Sequence, residues 1–309
     1  MKGALDFSRG IAEEDVAVPN LIAQIPHRIR ARANESIRNA AGLTHEPPPA
    51  CLDPVESYQP VDGVARLVHG DLAAMLIGGI GSLFLEMLHP YSMAGVAQHS
   101  RYREDTLGRV LQTANFIGDT TYGSRAAAYA SIERVKAIHV AVRGVADDGV
   151  AYEASDPHLL SWVHVAGTTV FLQSYLRFGP HRLSPEQADQ YVMEMAKVAS
   201  DLGGETPPTT VNELHRQLGA FRPELRLSAD GVEARDFLAA GVGGGFVQRF
   251  AYRLLVESAY DLLPRWALEL LGVAQRPRWQ QFAMRHATGV LNTLLRVAVP
   301  PTKPVTASM

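Results

Sequence analysis

From Val64 onward apolar residues recur at intervals of three and four, while strict alternation is scarce. Such spacing places side chains on one face of a helix, whereas period two would mark strands. It predicts helices over about 71–88, 104–117, 124–143, 156–178, 185–201, 210–218, 246–262, 264–271 and 276–297. The breaks carry turn chemistry: "HPYS", "IGDTTYGS", "GVADDGVAY", "FGPHRLSP", "GGETPPTT" and "AGVGGGF". Asp156 with Pro157, and Ser184 with Pro185, set an N-capping side chain before a proline whose missing N–H costs nothing in a first turn. Between about 30 and 60 the chain is proline-rich, as in "HEPPPACLDPVESYQPVDG", and has no sustained period. The expected organisation is an N-terminal arm and linker over 1–63 packed on the core, one all-α domain over 64–298, and a tail over 299–309.

One helix breaks its own pattern. Ala128, Ile132, Val135, His139 and Val142 share a face of the 124–143 helix, and the face is apolar except at His139. Ser124 is placed to cap this helix and Gly144 to end it. His139 has two readings: a core histidine satisfied by neighbouring polar groups, or a ligand to metal or haem iron held in a dry pocket.

The segment "EDTLGRVLQTANFIG" reads as buried on both sides. Leu107, Val110, Leu111, Ala114 and Ile117 form one stripe, and Arg109, Gln112, Thr113 and Phe116 form another with a single charge. Either this is a mixed surface face with Arg109 in a salt bridge, or it is a pocket wall. In the second case Arg109 donates to an anion or oxygen species while Gln112 and Thr113 add hydrogen bonds. Among the other histidines, His89 before Pro90 reads as a cap on free helix carbonyls and His99 as a loop residue. His164, in "SWVHVAG", lies on a strongly apolar helix and rivals His139 as an iron ligand.

Composition narrows the classes. The formal net charge of −3 leaves no basic excess for nucleic acid. A single cysteine, Cys51, excludes an intrachain disulfide, a CxxC zinc site and an iron–sulfur cluster built by this chain alone, and fits a cytoplasmic location. The longest uncharged run, "LAAMLIGGIGSLFL" over 72–85, is shorter than the roughly 20 residues a spanning helix needs. It predicts a buried core helix, with peripheral membrane contact still open. The first residues carry acids and no apolar secretory core. No HExxH, GxSxG or P-loop pattern occurs; "GVGGGF" at 241–246 lacks the lysine and hydroxyl of a phosphate loop and reads as a turn.

Taken in order, "GGIGSLFLEMLHPYSMAGVAQHS", "GRVLQT", "YGS", "RVKAIHVAVRG" and "YEASDPHLLSWVH" resemble the catalytic domain of the rubber oxygenase (latex clearing protein) and mycophenolic-acid-pathway oxygenase family. "LLPRWALELLGV" is similar to that family's closing segment, and the resemblance covers roughly 65–275. It implies an all-α fold with a globin-like helical core holding haem b. It implies His139 as the proximal iron ligand, and Arg109, Gln112 and Thr113 as the distal R-x-x-(K/R)-T pattern. The latex clearing protein has a lysine, able to bind iron, where this chain has Gln112; the departure implies an open or water-filled sixth position. No glutamate here matches that protein's catalytic carboxylate. The expected activity is oxidation or cleavage of an apolar isoprenoid, lipid or natural product by dioxygen. The rival expectation is a helical haem or apolar-ligand binder without turnover.

Overall fold

The computed structural model describes residues 50–299, apart from 242, 244 and 275. The outer parts of the predicted arm (1–49) and tail (300–309) therefore lie outside the described residues. The described chain is all-α, with one short β-hairpin. In order the elements are α1 (Val64–His69), α2 (Leu72–Glu86), α3 (Pro90–His99), α4 (Thr106–Tyr122), α5 (Arg125–Ala141), β1 (Arg143–Val145) and β2 (Ala151–Glu153). There follow α6 (Pro157–Phe178), α7 (Pro185–Leu202), α8 (Val211–Phe221), α9 (Ala229–Ala240), α10 (Phe246–Leu262), α11 (Arg265–Leu270) and α12 (Arg278–Ala298).

The predicted helices are present, and the N-capping residues act as read, but two stops are misplaced: α5 ends at Ala141 and Gly144 lies in β1, and α4 runs through "IGDTTY", read as a break, to Tyr122. Asp156 accepts from the His158 N–H, Ser124 from Ala127, and Ser184 forms a reciprocal capping box with Gln187. Gly203, at φ 102, closes α7 in the left-handed conformation that glycine adopts without strain. Four elements differ from expectation. Helices α1 and α3 are short, and α9 has a weak stripe, so periodicity did not mark them. "GVADDGVAY" is more than a break: β1 and β2 pair antiparallel with Gly144 opposite Tyr152. His99 is the last residue of α3 and not a loop residue.

The core is built on the α2–α6 contact. The run read as a buried helix is indeed one, and two of its glycines explain how close it comes. A Cβ at Gly78 would stand 2.7 Å from the Phe171 ring, and one at Gly81 2.7 Å from Val170 Cγ1. Trp162 is fully buried at this interface and donates from Nε1 to the Glu86 carbonyl at 3.1 Å. Helices α7, α8, α10 and α11 complete the main cluster through Tyr191, Leu214, Leu218, Ala259 and Trp266. No single helix among the described residues is long and apolar enough to cross a membrane.

Helices α4 and α5 form an antiparallel pair beside this core. Their inner end is tied down by His69 on α1, whose Nδ1 lies 2.8 Å from Thr121 Oγ1 and whose Nε2 lies 3.0 Å from the Tyr191 hydroxyl. Ala128 and Ile132 join Tyr58 and Val198 in a separate small cluster. The described part of the linker packs here too: Ser57 bridges to Ser124, and Gln59 donates to the Glu194 carbonyl at 2.9 Å. Glu194, buried on α7, accepts from the N–H groups of Val64 and Ala65 and so satisfies the start of α1.

Candidate active site

Arg109, Gln112 and Thr113 occupy one exposed strip of α4, and His139 stands near the end of α5. The α4–α5 pair brings these four together in one region: the Arg109 guanidinium is close enough to act electrostatically on the His139 ring. Within the strip Arg109 Nη1 donates to Gln112 Oε1 at 3.4 Å, and the Thr113 hydroxyl donates to the Arg109 carbonyl at 3.2 Å. Thr113 is left with its lone pairs, an acceptor in place of a donor.

Two expectations about burial change. The α5 stripe is fully buried at Ala128 and Ile132 but only half-buried at Val135, His139 and Val142. His139 is thus at the mouth of the stripe and not in its depth. Helix α4 was expected to be covered on both faces. Instead its far end, Thr120 and Thr121, is buried, while Arg109, Val110 and Gln112 through Asn115 are exposed. The reason is reach: the C-terminal half of α4 packs on α1, and its N-terminal half extends past that support. The strip is thus the mixed surface face of the first reading, except that Arg109 forms no ion pair among the described residues and bonds to Gln112 instead.

Burial lowers the His139 pKa below its ordinary 6.5, and the Arg109 charge pushes it further down. At neutral pH His139 is therefore a neutral imidazole, the state in which a ring nitrogen offers a lone pair. His164 stands on α6, off the α4–α5 pair. Its Nδ1 lies 3.3 Å from Thr168 Oγ1, its Nε2 is buried with no hydrogen-bond partner among the described residues, and desolvation brings its pKa down to about 4. His89 is not the carbonyl cap expected of it. It is the N-cap residue of α3, buried, makes no side-chain cap, and has Nε2 3.6 Å from Glu224 Oε2. Among the described residues no group of three or more His, Cys, Asp or Glu side chains could hold a metal ion.

Glu86 was missed at the sequence level. Its carboxyl lies against Gly167, one helical turn from His164 on α6, and burial raises its pKa to about 7 despite a hydrogen bond from Ser82. The available signal was small: it is the first charge after fourteen uncharged residues. His69 was missed for the same reason, since its two partners come from distant parts of the chain.

The sequence profile of the ER-bound oxygenase mpaB/B'/rubber oxygenase catalytic domain matches residues 66–293. The chain belongs to this family. The match takes in the α4–α5 pair, the α2–α6 core with Glu86 and His164, and most of α12. The protein is thus an oxygenase catalytic domain and an oxidoreductase. No curated protein and no solved structure matches the chain.

Proposed function

We propose that this oxygenase depends on haem b, that His139 holds the iron, and that the substrate is an apolar small molecule of isoprenoid, lipid or natural-product type. The observation that carries the reading is the neutral, half-buried imidazole of His139 at the open end of α4–α5, beside an arginine that forms no ion pair among the described residues. The residues present fit the group. A nitrogen that would hold the iron must be deprotonated and reachable, and His139 is both. Apolar side chains on the same two helices, Val110, Ile138 and Val140, are exposed and would offer contact surface to a porphyrin. When bound, haem would supply the redox-active iron at which dioxygen is activated.

The roles of the chain's own residues follow from their chemistry. Arg109 brings a fixed positive charge and N–H donors, suited to negative charge developing on oxygen. The Gln112 amide N–H₂ is a second donor, its oxygen already engaged by Arg109. Thr113 can accept but not donate while it bonds the Arg109 carbonyl. Glu86, with a pKa of about 7, can hold or release a proton near neutral pH. We also place the protein in the cytoplasm, in keeping with its one cysteine.

The test is the visible spectrum of protein produced with ample haem precursor, beside His139→Ala. The expected result is a Soret band in the wild type that is lost or strongly shifted in the variant. A wild type that is colourless and does not take up added haemin would sink the proposal; an unchanged band in the variant would move the ligand to His164.

A further inference from the structure

Helix α12 buries several polar side chains beside Leu291 and Leu295, and it leaves an apolar arc exposed where a surface helix ordinarily carries polar residues. Its inward polar residues are Arg285, paired with Asp261 at 2.9 Å; Thr288, bonded to Ser258 at 2.7 Å; buried Asn292; and Arg296, paired with buried Asp71 at 2.7 Å. Its outward residues, at helical spacing, are Trp279, Phe282, Val290 and Leu294, all well exposed. The Asp261–Arg285 and Ser258–Thr288 pairs run α12 antiparallel to α10. The first turns of α10 are exposed on every side, with Phe246, Val247 and Phe250 on one arc and Gln248 and Arg249 on the other.

We infer that the outer face of α12, together with the first turns of α10, docks this oxygenase on an anionic lipid surface. Three observations select that occupant. A helical turn exposed all round is not seated by a rigid partner on one side. It suits an interface where the apolar arc enters the acyl boundary and the polar arc stays at headgroup level. The charge has the matching sign: residues 246–299 contain seven arginines, no lysine and three carboxylates, in a chain whose net charge is −3. Arg285 and Arg296 point inward into ion pairs, but the segment keeps a net positive charge, which would repel a second copy and attract phosphate headgroups. The Gly-rich segment "GVGGGF", which has no part in the candidate active site, runs in sequence directly into the exposed turns.

The tryptophans provide a built-in reporter. Of the three, Trp162 and Trp266 are buried and Trp279 is 69% exposed. The experiment incubates the full chain with vesicles of phosphatidylcholine alone, or of phosphatidylcholine with phosphatidylserine. It reads co-sedimentation, and quenching of tryptophan emission by brominated acyl chains. The expected result is binding to the anionic vesicles that weakens with salt, with quenching in the wild type and not in Trp279→Phe. Phe282→Ser combined with Leu294→Ser should lower partitioning about tenfold or more with helical circular dichroism unchanged. Four results would each overturn the inference. They are no sedimentation with anionic vesicles, sedimentation without Trp279 quenching, lipid-free monomer whose Trp279 emission is already that of an apolar setting, and a dimer that the double serine variant dissociates. The readouts need no haem, so they separate this inference from the proposed chemistry.

Discussion

His69 and His164 are kept neutral by the same burial that keeps Glu86 protonated, yet the two effects oppose each other in the stability of the fold. Each histidine has a folded pKa of about 4 against 6.5 when free. Its contribution is complete above 6.5 and is lost as pH falls toward 4. Glu86 rises from 4.5 to about 7, so its contribution is complete below 4.5 and is lost as pH rises through 7. Between those limits the histidines make stability climb with pH and Glu86 makes it fall. Glu86→Gln keeps the shape and removes the opposing proton. Its unfolding free energy, measured by urea titration at several pH values between about 5 and 6, should rise with pH more steeply than the wild type's by about 1 kcal/mol per pH unit. Parallel slopes would mean that Glu86 ionises like a solvated carboxylate.

At the scale of elements, glycine has opposite values in different helices. Alanine is the better helix former by about 1 kcal/mol. At Gly78 that gain is outweighed, because a Cβ would meet the Phe171 ring at 2.7 Å and force α2 away from α6. Gly78→Ala should destabilise by about 1–3 kcal/mol, the usual cost of overpacking. At Gly219 in α8 a Cβ meets nothing within 4 Å, and Gly219→Ala should stabilise by about 0.5–1 kcal/mol. Thermal or urea unfolding of both variants checks the pair; a stable Gly78→Ala would show that α2 and α6 do not approach as closely as described. The α4–α5 pair has no such interlock at its outer end. It is fixed by the His69 network and by Ile132 at one end, and exposed around Arg109 and His139 at the other.

For the whole molecule this means that the main core and the candidate site are separately supported. The core holds Trp162, Tyr191 and Leu214 with no exposed surface; the site rests on a helix pair with its own small cluster. If haem occupies the site, it binds the folded state alone and stabilises it by mass action, by about 2.7 kcal/mol at a hundredfold excess over the dissociation constant. Added haemin should therefore raise the melting temperature and slow hydrogen exchange in α4 and α5 more than in α2 and α6. His139→Ala should lose both effects. Uniform slowing across the chain would place the bound group elsewhere.

Much of this architecture follows from the sequence alone, because local spacing and capping chemistry act within a few residues. The period of three and four marked the long helices, Asp156 and Ser184 marked where two of them begin, and the mismatched His139 singled out the α5 face proposed for the site. The order of "GRVLQT" and "RVKAIHVAVRG" brought Arg109 and His139 into one reading before any contact was visible. What the sequence could not determine is which side of a stripe meets the protein. Periodicity states which residues share a face, but a face is buried only if another element reaches it. On α4 that support ends before Arg109, on α12 it leaves an apolar arc uncovered, and on α2 and α6 it encloses Glu86 with His164 one turn from its carboxyl contact. Burial then sets the protonation of these groups, so the chemistry of Glu86, His164 and His139 was decided by packing between distant segments.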